Sequence, residues 1–158
     1  MPGPEWAVGE LLRRGGLTLG VVESATGGLV SHLITNVPGS SDYYKGSVTA
    51  YSNDIKVRIV GVSQASIASF GAVSAPVAEE MAAGGRRVLA VDICLADTGV
   101  AGPGGATAEK PTGLFYLGLA HKGGNFSQRH IFHGEREANK MGAALAALDW
   151  LEKYLTGL

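Results

Sequence analysis

The chain has 158 residues, the size of one ordinary domain, so a single substantial core is feasible without metal or disulfide staples. Hydrophobic residues make up 46%, charged residues 17%, and the net charge is −1, which marks a globular, rather apolar chain without the basic footprint of nonspecific nucleic-acid binding. The single cysteine, Cys94, excludes a disulfide framework within the chain and points to a cytoplasmic home. No apolar run approaches the ~20 residues of a membrane span, and Met1 to Glu5 lack the basic-then-apolar pattern of a signal peptide.

Glu5 to Arg14 predicts a short amphipathic helix, stopped by Gly15-Gly16. Leu17 to Val22 reads as a buried strand, and Thr26 to about Asn36 as a helix closed by the loop Val37-Pro38-Gly39-Ser40-Ser41. Ser47 to Tyr51 is a second strand, and Ser52 or Asn53 can cap the helix after it, with Asp54 in its first turn. Gly71-Ala72-Val73-Ser74 leads into a helix with Pro76 in its first turn, running to about Arg87 and frayed near Gly84-Gly85. Val88 to Thr98 is a third strand region, followed by the glycine-rich loop Gly99 to Gly105. Gly113 to His121 and Asn125 to Phe132 read as paired strands joined at Lys122-Gly123-Gly124, and Glu135 to Tyr154 as a long terminal helix. Strands alternating with helices, then a hairpin and a helix, predict one α/β domain over 1–158 with a mixed sheet covered on both faces.

Four segments can carry chemistry. In Glu23-Ser24-Ala25-Thr26-Gly27-Gly28 a strand ends and a helix begins, where open α/β sheets bind ligands and helix N–H groups favour anions. Ser24 there is a candidate nucleophile; read locally, Ser24 or Thr26 as a plain helix cap is the simpler alternative. The turn is neither a Gly-x-Ser-x-Gly elbow nor a phosphate-binding P-loop. Tyr51 and Lys56 are candidate bases for such a serine, with Lys45 a weaker one. Thr98 and the glycines 99, 102, 104 and 105 can form a backbone nest for an anion or a ring, and Lys110 follows on the same excursion. Arg136, at the start of the last helix, can hold a phosphate or carboxylate bidentately. His32, His121, His130 and His133 show no metal-ligand spacing, so no metal is expected.

Taken together these segments resemble the C-terminal domain family of competence-damage-inducible protein CinA. The landmarks are Glu23-Ser24-x-Thr26-Gly27-Gly28-Leu29, Val37-Pro38-Gly39-Ser40-Ser41, Tyr51-Ser52-Asn53-x-x-Lys56, Gly61-Val62, Gly71-Ala72-Val73-Ser74, Thr98 to Gly105, Lys110-Pro111-x-Gly113 and Gly134-x-Arg136. They run in the family's order from about Glu5 to Leu155. The resemblance implies a three-layer α/β/α sandwich with a mixed sheet, commonly a homodimer. It also implies an amidohydrolase of pyridine-nucleotide salvage that needs no cofactor and converts nicotinamide mononucleotide to nicotinate mononucleotide and ammonia.

On that reading Ser24 attacks the carboxamide and Tyr51 and Lys56 move its proton. Backbone groups at Thr26, Gly27 and Gly28, or at Gly99, Gly102, Gly104 and Gly105 after Thr98, serve the oxyanion and the ligand. Lys110 and Arg136 hold the 5′-phosphate. The chain departs from the family pattern at Ala25, where a cysteine is common. Further departures are Asp97, where a small or apolar residue is usual, Asn139-Lys140, where an arginine is frequent, and Glu135 in place of aspartate. Two alternatives stay open: hydrolysis of another small amide, and a noncatalytic nucleotide-binding or regulatory module.

Overall fold

Three parallel strands end side by side at one edge of a mixed sheet. In the computed structural model, which describes residues 2–158, five strands pair in the order β2-β1-β3-β4-β5. β1 (Leu19–Glu23) pairs in parallel with β2 (Tyr44–Thr49) on one side and β3 (Ile93–Gly99) on the other. β4 (Leu114–His121) and β5 (Gly124–Ile131) extend the sheet as an antiparallel hairpin. The carboxyl ends of the three parallel strands therefore lie side by side, with Ser24, Ala50 and Val100 immediately after them.

Period-two alternation sorts the strand side chains between two cores. Val21, Leu95, Leu117 and Leu119 face α1 (Pro4–Gly15), α2 (Leu29–Thr35) and α6 (Arg136–Thr156). Val22, Cys94, Ala96 and Ala120 face the other way, onto α5 (Ala75–Leu89) and the chain that follows β2. That chain is one turn of α3 (Asn53–Ile55), capped by the Ser52 hydroxyl, continuing into a π-helical turn over Lys56–Val60. α4 (Gln64–Phe70) packs outside α5. The result is a three-layer α/β/α sandwich on a mixed sheet, as the sequence implies. Each buried Val, Leu or Ile side chain in these layers contributes about 1.5–3 kcal/mol.

Several boundaries differ from the sequence reading for identifiable reasons. α2 starts at Leu29 rather than Thr26, because Gly27 and Gly28 adopt φ of +61° and +108° and form a turn first. β2 lies at Tyr44–Thr49, beginning before and ending before the expected Ser47–Tyr51. α5 runs through Gly84-Gly85 to Leu89 instead of fraying, and β3 begins at Ile93. These two glycines are contact points: a Cβ on Gly84 would lie 2.0 Å from the Val60 carbonyl oxygen, and one on Gly85 would lie 2.6 Å from Cys94 Sγ. α4 was not expected; its main local signal is Ser63, whose hydroxyl accepts from the Ala65 and Ser66 N–H groups. Among the described residues no helix is long and apolar enough to cross a membrane.

Candidate active site

The turn after β1 is held from below by two carboxylates. Alternation along the strands sends Glu23 and Asp97 to the face that carries α2. Both are fully buried. Glu23 Oε1 accepts from Thr26 Oγ1 at 2.7 Å, Gly28 N at 3.1 Å and Val30 N at 2.9 Å. Its Oε2 accepts from Ser31 N at 2.9 Å and Ser31 Oγ at 2.7 Å. The positive end of α2 is thus capped by the strand's own last residue, and neither Ser24 nor Thr26 acts as the helix cap. Asp97 Oδ1 accepts from Thr26 N at 3.1 Å, and its Oδ2 contacts Thr26 Oγ1. Burial, with the Glu23 charge adding to it, raises the Asp97 carboxyl to about 6, against lowering by the Thr26 and Ser24 groups that bond it.

On the opposite face the π-helical turn delivers Lys56, only 2% exposed. Its Nζ lies 3.0 Å from Ser24 Oγ and 3.1 Å from the Tyr51 carbonyl oxygen, to which it donates. Among the described residues Lys56 makes no ion pair; the four that form are Arg13–Asp42, Arg14–Glu10, Arg58–Asp54 and Lys153–Asp149, all on the surface. Burial lowers the Lys56 ammonium below the usual lysine range, only partly opposed by Asp97. A buried lysine with depressed basicity touching a buried serine is an arrangement able to serve as a nucleophile and its base.

Ser24, Lys56, Tyr51, Thr98, Gly99, Gly104, Gly105 and Arg136 line one cleft of about 270 Å³. The sequence left open which of Tyr51 and Lys56 faces the serine; it is Lys56. The Tyr51 side chain is 63% exposed, and its hydroxyl accepts from Arg136 at 3.4 Å. Arg136 also donates to the Gly102 carbonyl at 2.7 Å. Thr98 Oγ1 donates to the Ala72 carbonyl at 2.8 Å. Lys45 is on the surface.

Other expected contributors sit elsewhere. The N–H groups of Thr26, Gly27 and Gly28 already donate to Asp97, the Ser24 carbonyl and Glu23. The turn glycines line a separate 470 Å³ depression between α2 and α6 together with Lys140, so they are not free oxyanion donors. Gly102 opens onto a side pocket with Pro103 and Thr112. Lys110 does not point at the cleft: its ammonium donates to the Phe70 carbonyl at 2.9 Å and to the Val73 carbonyl, strapping the glycine-rich excursion onto the α4–α5 connection. Asn139, where the family pattern often has an arginine, is buried. It accepts from Gly134 N at 2.9 Å and donates to the Ala101 carbonyl at 3.0 Å, bracing the loop against α6. Sequence reasoning missed Asn53, Ala72 and Val73 as cleft walls, although all three lie in family landmarks.

Among the described residues the N–H groups of Ala25, Gly104 and Gly105 find no partner within the chain, and all three residues line the cleft. No cluster of three or more His, Cys, Asp or Glu side chains suited to a metal occurs among the described residues.

The CinA C-terminal domain model matches residues 4–155. A CinA-like protein of Geotalea uraniireducens is 46% identical over 151 residues, 96% of this chain and 36% of that protein. A putative competence-damage inducible protein of Moorella thermoacetica is likewise 46% identical, over 96% of this chain and 36% of its own length. The chain thus spans 36% of the length of these curated relatives. Among solved structures, a competence-damaged protein (CinA) superfamily protein from Klebsiella pneumoniae superimposes with a TM-score of 0.94 at 27% identity, covering 98% of this chain and 97% of that one. The competence/damage inducible protein CihA from Agrobacterium tumefaciens gives 0.86 at 33%, covering 99% and 98%.

Proposed function

We propose that this chain, which belongs to the CinA C-terminal domain family, hydrolyses the carboxamide of nicotinamide mononucleotide through an acyl-enzyme on Ser24. The observation that carries the reading is the buried 3.0 Å contact between Lys56 Nζ and Ser24 Oγ. With Lys56 neutral, its lone pair takes the Ser24 proton while one N–H stays on the Tyr51 carbonyl. Ser24 Oγ bonds the carboxamide carbon, and the carbonyl oxygen becomes the oxyanion. Lys56 returns the proton to the departing nitrogen, which leaves as ammonia. Water then attacks the ester, again giving its proton to Lys56. Collapse releases nicotinate mononucleotide and Lys56 reprotonates Ser24.

The N–H of Ala25, the residue after the nucleophile, is the natural oxyanion donor, joined by Gly104 or Gly105 across the cleft. Arg136 uses only part of its five-donor fork on Gly102 and Tyr51, leaving the rest for the phosphate.

The test is to incubate purified protein with nicotinamide mononucleotide and measure ammonia and nicotinate mononucleotide. Ser24→Ala and Lys56→Met should each lose about 10²–10⁴-fold in turnover. The wild-type acidic limb of kcat/KM, set by a lysine titrating below its usual range, should vanish in Lys56→Met. Arg136→Ala should raise KM roughly 10–100-fold, the loss of one charge-assisted contact. Full turnover in Ser24→Ala refutes the nucleophile, and saturable nucleotide binding without turnover makes the chain a binding module.

A further inference from the structure

Thr26 has one hydroxyl proton and two acid neighbours. Its Oγ1 lies 2.7 Å from Glu23 Oε1 and also contacts Asp97 Oδ2. One proton cannot be donated to both. If both acids were ionised, Thr26 would turn a lone pair on one of them, inside a site with no water-like dielectric to soften the repulsion. One acid must therefore donate to Thr26.

The surroundings decide which. Glu23 receives five donors: the Thr26 and Ser31 hydroxyls and the Gly28, Val30 and Ser31 N–H groups. That is the coordination of an ionised carboxylate, and it sits at the positive end of α2. Asp97 Oδ1 accepts the Thr26 N–H, and its Oδ2 has the Thr26 hydroxyl as its hydrogen-bond partner. The charged groups that face Asp97 are Glu23 from β1 and Lys56 from the π-helical turn; its cross-strand partner on β4 is the apolar Leu117.

We propose that Asp97 is a positioning residue that keeps its proton in the folded protein, donating from Oδ2 to Thr26 Oγ1 so that Thr26 donates in turn to Glu23. The buried edge of the sheet then holds one anion, Glu23, fully capped, and presents Lys56 with a neutral acid instead of a carboxylate. A carboxylate at that place would favour the lysine's ammonium form; a neutral acid leaves its lone pair free. The raised Asp97 value of about 6 agrees in direction. The proton assignment stands on the hydrogen-bond geometry alone; only its consequence for Lys56 rests on the amide-hydrolase reading.

Asp97→Asn tests this without any substrate. Asparagine reproduces the neutral acid: its amide N–H₂ donates to Thr26 Oγ1 and its oxygen accepts from Thr26 N. Folding equilibria of both chains are measured by urea denaturation from pH 4 to 8. A folded value raised above the ordinary 3.8 means that Asp97 stabilises fully below about 3.8 and loses that contribution as pH rises through its folded value. The wild type should therefore lose roughly 100-fold or more in its folding constant relative to Asp97→Asn across this window. The variant should be at least as stable as the wild type at pH 7.

Infrared spectra of wild type with carbon-13-labelled aspartate supply the second readout. A protonated carboxyl band should persist at pH 6, and it should be missing in the variant. A variant that fails to fold, a parallel pH profile for the two chains, or no protonated carboxyl band at pH 6 overturns the proposal. None of these outcomes depends on whether nicotinamide mononucleotide is hydrolysed.

Discussion

Glu23→Gln tests how the turn that carries Ser24 is held. The carboxylate satisfies five donors, three on Oε1 and two on Oε2. Glutamine keeps one oxygen and places an N–H₂ group where the other stood. In either orientation that group meets at least one backbone N–H head-on, Ser31 at one position or Gly28 and Val30 at the other. Charge-assisted hydrogen bonds contribute about 1.5–3 kcal/mol each, and an orphaned buried donor costs about 1–3 kcal/mol. Losing the charge and one or two bonds therefore costs about 3–5 kcal/mol, against a typical total of about 5–15 kcal/mol. At about 2–4 °C per kcal/mol for a chain of this size, the melting midpoint should fall by about 10 °C. The assay is urea unfolding followed by far-ultraviolet circular dichroism, with an unchanged m-value as the control for a native-like start. A loss below about 1 kcal/mol would refute the argument, because it would mean the α2 N–H groups do not depend on this carboxylate.

Gly84→Ala puts a Cβ 2.0 Å from the Val60 carbonyl, so α5 and the π-helical turn must separate. Overpacking of about 1–3 kcal/mol outweighs the roughly 1 kcal/mol helix-propensity gain, so thermal melts should show net destabilisation. Turnover should fall further than stability does, because Lys56 begins the same turn. Lys110→Met removes the strap to Phe70 and Val73. Amide hydrogen exchange should speed up across residues 100–112, with stability lower by about 1–2 kcal/mol. A raised KM with exchange unchanged would instead restore Lys110 as a phosphate contact.

The layers, and the two partners of the Ser24–Lys56 contact, are legible in the sequence because their signals are local. β-rich runs bounded by glycine, the Pro76 helix start and the terminal amphipathic helix all follow from short-range pattern. Ser24 and Lys56 were each nominated by type and neighbourhood. Their contact spans 32 positions and exists only because β1 and β2 end at one edge. Misreadings came from long-range partners that pattern does not encode. The helix N-terminus looked open for a ligand, yet Glu23, one residue before the serine, fills it. Lys110 looked like a free cation, yet the excursion folds back onto Phe70 and Val73. Asn139 stands where an arginine is frequent, yet its amide oxygen accepts the Gly134 N–H, which an arginine could not do, while its N–H₂ donates to the Ala101 carbonyl. α4 carries too few apolar residues in Gln64–Phe70 to show a period.

The placement of charge explains why the glycine-rich loop must be tied so firmly. All four ion pairs among the described residues are exposed, where solvent and salt screen them. The buried acidic and lysine side chains Glu23, Lys56 and Asp97 gather instead at the carboxyl edge of the sheet. The two acids grip the serine turn from the α2 face, and that grip consumes the N–H groups of Thr26 and Gly28. With Gly27 bonded to the Ser24 carbonyl, Ala25 alone is left on the turn to meet an oxyanion. On the proposed amide hydrolysis a second donor comes from across the cleft, from Gly104 or Gly105, so that reading requires an ordered loop. Arg136 and Asn139 fasten that loop by donating to the Gly102 and Ala101 carbonyls, and Lys110 anchors its far end. Arg136 and Asn139 thus bind its carbonyl oxygens, which leaves the Gly104 and Gly105 N–H groups available to the cleft.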